Sequence, residues 1–129
     1  MESKAKETQT RPREIVRVLY DYELKSAPGK SIIALELEYP PNGFTPPHRH
    51  GGATVMALVT EGHILSGMNG NPPKVYEVGE SFIEQPGCHH TVGETNSQHK
   101  RAKAIAVFFV DTEVVRQGYE GLTILDKGW

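Results

Sequence analysis

In the stretch IIALELEY, Ile32 to Tyr39, apolar side chains Ile33, Leu35, Leu37 and Tyr39 recur at every second position, with Ala34, Glu36 and Glu38 between them. Successive side chains of an extended backbone point to opposite faces, so this alternation sets an apolar row on one side of a sheet and a wetter row on the other. Outward from it the chain breaks into further strand-length segments rich in Val, Ile, Tyr and Phe. IVRVLYDYEL precedes it, and ATVMALVTEG, HILSGMN, PKVYEVG, ESFIEQPG, HHTVGE, RAKAIAVFFVD and LTILDKGW follow. PPNG, NGNPP, QPG and ETNSQ supply the turn chemistry that joins antiparallel neighbours. Helix is supported only as one turn around Val114 to Gly118. The expectation is an all-β fold, whose closed or doubled sheet leaves an interior wide enough for a small organic ligand.

The 129 residues suit one domain, and 13 glycines and 9 prolines suit a fold with many turns. Residues 1–14, MESKAKETQTRPRE, are nearly all polar and read as a flexible N-terminal arm, leaving 15–129 as the β domain. Acidic residues number 16 against 14 basic ones, without a basic stripe, which argues against nucleic acid as partner. The longest strongly apolar run, Ala102 to Val110, is too short to cross a membrane. A single cysteine, Cys88, and no apolar leader segment point to a reducing, cytoplasmic setting.

Two segments carry chemistry. In PPHRHGG, Pro46 to Gly52, strand parity sets His48 and His50 side by side while Arg49 points away. In PGCHH, Pro86 to His90, the turn starts a strand on which Cys88 and His90 share a face, so that His90 can close a three-imidazole set; a bulge after Gly87 would put His89 in its place. Imidazole nitrogen suits a divalent metal ion such as Fe(II), Zn(II), Ni(II) or Mn(II), with positions left open for water or substrate. His63, Cys88 and His89 are possible additional ligands or pocket groups. Thr54, Met56 and Leu58 continue the parity of His50 and are expected to line the pocket, with Tyr39, Phe82 and Phe108 as an aromatic wall. Glu61 and Glu80 stand in turns and read as solvated.

PPHRHGGATV, then VTEGHI, then VGESFIEQPGCHHTVGETN resemble the two motifs of the cupin superfamily, the small metal-binding jelly-roll β-barrels. Gly43, His48, His50 and Gly62 match the first motif; Gly79, Pro86, Gly87, His90 and Asn96 match the second. The resemblance spans about Ile32 to Val110 and implies His48, His50 and His90 as metal ligands and catalytic centre. The family's glutamate should fall at Thr54 or Val55, neither a carboxylate, so a three-histidine variant without glutamate is expected. That subset favours Fe(II) and implies a dioxygenase-like oxygenase acting on a small anionic substrate. A redox-neutral metal-dependent lyase or isomerase is the alternative, and a non-catalytic small-molecule-binding or sensor barrel a third. The family also implies a homodimer that covers exposed sheet edges.

Overall fold

The computed structural model describes residues 11–129. Its strands are β1 (Ile15–Glu23), β2 (Lys30–Tyr39), β3 (Phe44–Thr45), β4 (His48–Arg49), β5 (Thr54–Glu61), β6 (His63–Met68), β7 (Lys74–Glu77), β8 (Ser81–Glu84), β9 (His90–Thr95), β10 (Ala102–Asp111) and β11 (Ile124–Leu125). A short 3-10 turn, Thr112–Val115, overlaps the start of the helical turn expected at Val114 to Gly118, and a second, Glu120–Leu122, lies beyond it. Residues 1–10 of the expected arm lie outside the described residues. Arg11 onward lies against the barrel: the Arg11 guanidinium donates to the Asn42 carbonyl, and the Phe44 amide donates to the Pro12 carbonyl.

The strands form two antiparallel sheets, ordered β1-β2-β10-β5-β8 and β11-β4-β9-β6-β7, with β3 also paired to β9. Face to face they make the all-β jelly roll of the cupin type. Each strand reads its burial from its alternation. Ile33, Leu35 and Tyr39 of β2 and Ala102, Ala104, Ala106, Phe108 and Val110 of β10 point inward and are buried. Inward alanines on β10, with Ala57 on β5, leave the middle of the barrel unfilled, while Ile33, Leu35, Val55, Phe108 and Leu122 pack one end. Among the described residues no helix is long and apolar enough to cross a membrane.

Gly51 and Gly62 have positive φ of 62° and 69°. At Gly62 a Cβ would lie 2.6 Å from the Arg101 carbonyl, so only glycine lets the β5–β6 turn close on the neighbouring chain. The turn at Gly51 resets the side-chain parity between His50 and β5. Val55, Ala57 and Val59 therefore face inward, and Met56 and Leu58 lie outward, 47% and 43% exposed. This inverts the parity expected for Thr54, Met56 and Leu58, which do not line the cavity.

Candidate metal centre

β4 pairs His48 directly with His90 of β9, and His50, two residues beyond His48, turns its ring the same way. Glu84 closes β8, opposite Val55 of β5. Ligand atoms of His48, His50, Glu84 and His90 all lie within 4.8 Å of one another. His48, Glu84 and His90 are buried. The glutamate-free, three-histidine site expected from the sequence is thus corrected to a His, His, Glu, His set.

Outer partners fix which nitrogen of each imidazole faces the centre. A carbonyl oxygen can only accept, so His48 Nδ1–H donates to the Pro46 carbonyl at 2.7 Å and His50 Nδ1–H to the Leu122 carbonyl at 2.6 Å. In the neutral rings both Nε2 atoms are then bare lone pairs, yet they stand 3.1 Å apart. His90 bonds outward through Nε2 to the Ser66 hydroxyl at 2.8 Å, which turns Nδ1 inward. Glu84 Oε1 lies 3.1 Å from His50 Nε2 and 3.0 Å from His90 Nδ1. Buried Glu84 Oε1 and His90 Nδ1 nonetheless have no hydrogen-bond partner. Converging lone pairs, an unpaired carboxylate oxygen and outer acceptors on the far ring nitrogens are what a cation requires, and these residues fit a divalent metal.

The electrostatics of His48 and Glu84 agree, while His50 is held toward its protonated form by Glu84. Burial, with His90 and His50 close by, pulls the His48 imidazole down to about 4, so it is neutral at pH 7. Burial also pulls on His50, but the Glu84 carboxylate and the Leu122 carbonyl more than reverse it and raise the ring above its ordinary value. Burial would raise Glu84; the two flanking imidazoles, His50 and His90, override it and hold the carboxyl well below the usual range. Neutral imidazole and ionised carboxylate are the ligating forms.

The cluster opens into a cavity of about 340 Å³ whose wall includes Leu35, Leu37, Tyr39, Val55, Phe82 and Phe108. Tyr39, Phe82 and Phe108 are among its lining residues. Three other candidates are not at the centre. His63 has a 55% exposed side chain beside Glu77, because the Gly62 turn directs it outward. Cys88 lies in the turn before β9, its thiol against Met68 Sδ at 3.8 Å. His89 points to the other side of the chain and bonds through Nε2 to both carboxylate oxygens of Asp126, at 2.8 and 3.0 Å. His90 is therefore the histidine of the pair that joins the cluster.

Glu84 went unweighed in the sequence because the motif puts the carboxylate on β5. The signal was present: Phe82 and Glu84 share parity, so an inward Phe82 carries Glu84 inward with it. The geometry also shows why the substitution of place works. Val55, one of the two positions where the motif expects glutamate, is the cross-strand partner of Glu84, and paired residues project from the same face.

The cupin domain family matches residues 35–108 of the sequence. The chain is a cupin. No functionally curated protein matches this cupin's sequence. Among solved structures, the DMSP lyase DddQ from Ruegeria pomeroyi DSS-3 is similar with a TM-score of 0.65 and 19% identity, over 88% of this chain and 51% of that one. A conserved protein with a double-stranded β-helix domain from Klebsiella pneumoniae gives 0.63 and 13%, over 86% and 93%. Recombinant oxalate oxidase in complex with glycolate gives 0.59 and 22%, over 83% and 59%. The cupin thus spans about half the length of the lyase, and what it has in common with all three is the fold.

Proposed function

We propose that this cupin is a metal-dependent enzyme that carries out redox-neutral chemistry, elimination or isomerisation, on a small anionic organic substrate. His48, His50, Glu84 and His90 hold the metal. The observation that carries this reading is Glu84 as fourth donor. Four protein donors, one of them a carboxylate, would occupy more of a divalent ion's coordination than three imidazoles and would leave less room for a chelating substrate and dioxygen together. A bound divalent ion would supply Lewis acidity toward a substrate oxygen. The similarity to a lyase supports the same direction; the similarity to oxalate oxidase supports a small carboxylate as ligand.

The chain's own residues do the rest. The Pro46 and Leu122 carbonyls and Ser66 lock the imidazoles in their ligating orientation. The apolar wall excludes water and limits the substrate to a compact molecule. Tyr39 shares a 2.8 Å hydrogen bond with Thr45, and burial pushes its phenol well above the ordinary range, so it stands in the wall as a group that keeps its proton at neutral pH. The test is turnover of small carboxylates by metal-stripped protein reconstituted with redox-inert Zn(II), or with Mn(II) or Fe(II), followed by NMR with and without oxygen. Turnover that survives anaerobiosis is expected, and strict dependence on dioxygen would overturn the reading in favour of an oxygenase.

The cupin works as a homodimer in this reading, through the outer face of the five-stranded sheet. Tyr20, Ala34, Val107, Met56 and Ile83 lie in register across all five strands on the outward parity; Tyr20, Met56 and Ile83 are exposed, while Ala34 is fully covered. The five strands, of four to ten residues, at about 3.3 Å per residue and about 4.8 Å spacing give a face of roughly 650 Å². About that area per partner is what a stable complex buries.

A further inference from the structure

The C-terminal segment from Tyr119 onward touches both stretches of chain that carry the histidines. Leu122 is 1% exposed, its side chain packed in the core with Val55 and Phe108, and its carbonyl is the acceptor for His50 Nδ1–H. Beyond it β11 pairs Ile124 with Arg49 and Leu125 with His48. The Asp126 amide donates to the Pro47 carbonyl at 2.9 Å, and the Asp126 carboxylate holds His89, the neighbour of His90. At the other end, the Tyr119 hydroxyl donates to Asp21 of β1 at 2.7 Å.

The attachment is slight for a segment so placed. Apart from Leu122 and the Trp129 ring, set edge-on to buried Phe44 at 5.7 Å, its hold is a two-residue strand and a few side-chain bonds at the surface, which puts the stretch between those two anchors among the parts of the protein that open more easily. When it lifts, His50 loses the acceptor that fixes its tautomer, His48 loses its strand partner, and His89 loses its carboxylate.

We infer that docking of this C-terminal strap and occupancy of the metal centre are one coupled equilibrium, with Asp126 as a positioning residue for the ligand histidines. The inference rests on the metal reading given above. The strap touches no substrate; it holds the imidazoles in the ligating orientation. Coupling of this kind is reciprocal: the factor by which a docked strap tightens metal binding is the factor by which bound metal tightens the strap. Outer partners of metal-bound histidines contribute about 10- to 100-fold in affinity. Asp126 acts one bond further out, so about tenfold is expected for it.

The experiment uses the full chain, stripped with chelator and titrated with Co(II), whose visible bands report ligand geometry. Hydrogen exchange is read at the amides of Ile124, Leu125 and Asp126 with and without Co(II). In the parent, Co(II) should slow exchange at these amides by about tenfold. The Asp126→Ala variant, altered at a partly exposed position, should bind Co(II) about tenfold more weakly with shifted bands, and Asp126→Glu should restore both. Strap exchange indifferent to bound Co(II), or parent-like affinity and bands in Asp126→Ala, would overturn the coupling while leaving the metal site standing. Absence of Co(II) bands in the parent would overturn the metal reading and the coupling with it.

Discussion

Replacing Glu84 by glutamine separates a metal ligand from a buried structural acid, because the two roles are read in different quantities. Glutamine keeps the shape and removes the charge. In the metal-free protein Glu84 Oε1 has no hydrogen-bond partner and the side chain is only 4% exposed. His50 and His90, 3.1 and 3.0 Å from that oxygen, hold the carboxyl ionised, so losing the charge should lower metal-free stability, by about 1 kcal/mol or more. In the loaded protein the same change removes one of four converging donors, and the only anionic one. A ligand should count for at least the upper end of what an outer partner counts for, so affinity should fall about 100-fold or more. At metal equal to 100 times the parent dissociation constant, binding adds about 2.7 kcal/mol to the parent. The same concentration adds about 0.4 kcal/mol to the variant. For a chain of 129 residues, 1 kcal/mol corresponds to roughly 4 °C, so the metal-induced rise in Tm should be about 10 °C in the parent and about 2 °C in Glu84→Gln. Scanning calorimetry of chelator-stripped protein with and without Zn(II) measures both quantities. Equal metal-induced shifts in parent and variant would refute Glu84 as a ligand; a raised metal-free Tm in the variant would refute the pairing of its charge with the two imidazoles.

Metal-free protein should lose stability in mild acid. His48 titrates at about 4 when folded against 6.5 unfolded, so below pH 6.5 the unfolded chain takes up the proton first; about 3 kcal/mol, fully present above pH 6.5, should drain away toward pH 4. Glu84, depressed by its imidazoles, adds to the loss below 4.5, while the contribution of the raised His50 is constant below 6.5, so urea midpoints that stay flat between pH 7 and 4 would contradict the assignment. Ala106→Leu, on the cavity wall, should lower stability by no more than about 1 kcal/mol and leave the Zn(II)-induced Tm shift intact while abolishing turnover, since the added carbons enter an existing void. Met56→Glu, at the middle of the apolar outer row, should convert the dimer to a monomer in light scattering after gel filtration; an unchanged mass would place the interface elsewhere.

Much of the fold was legible because the strands announce themselves by alternation. IIALELEY and AKAIAVFFV became β2 and β10, and the other apolar segments each became one strand. The two-residue strands β3 and β4 carry too few residues to show a period, so only the His48 and His50 spacing marked their place. The parity of β5 was misread because Gly51 sits at φ 62°, and a turn through that region flips every following side chain to the other face. His48, His50 and His90 were recoverable from motif spacing. Glu84 was not, because a motif records distance along one strand, while the carboxylate is delivered across a ladder.

That last point has a direct consequence. If a ligand's place is set by height in the sheet and by which face it shares, the carboxylate should be movable one rung sideways. Val55 and Glu84 are cross-strand partners, both inward-facing and buried. Directly paired residues have Cβ atoms about 5 Å apart, a gap that a glutamate's rotamers can span toward a common centre. Val55→Glu alone would put two carboxylates against one cavity, and Glu84→Val alone would leave three imidazoles. The double variant Val55→Glu with Glu84→Val has the parent's charge and composition and returns the carboxylate to the β5 position at which the motif expects it. Zn(II) affinity in Glu84→Val should fall about 100-fold and the double variant should recover at least tenfold of that, a non-additivity that isothermal titration would read directly. Two effects that simply add, with no recovery, would mean that β8 provides something besides height and face, and that the ladder argument for Glu84 is wrong.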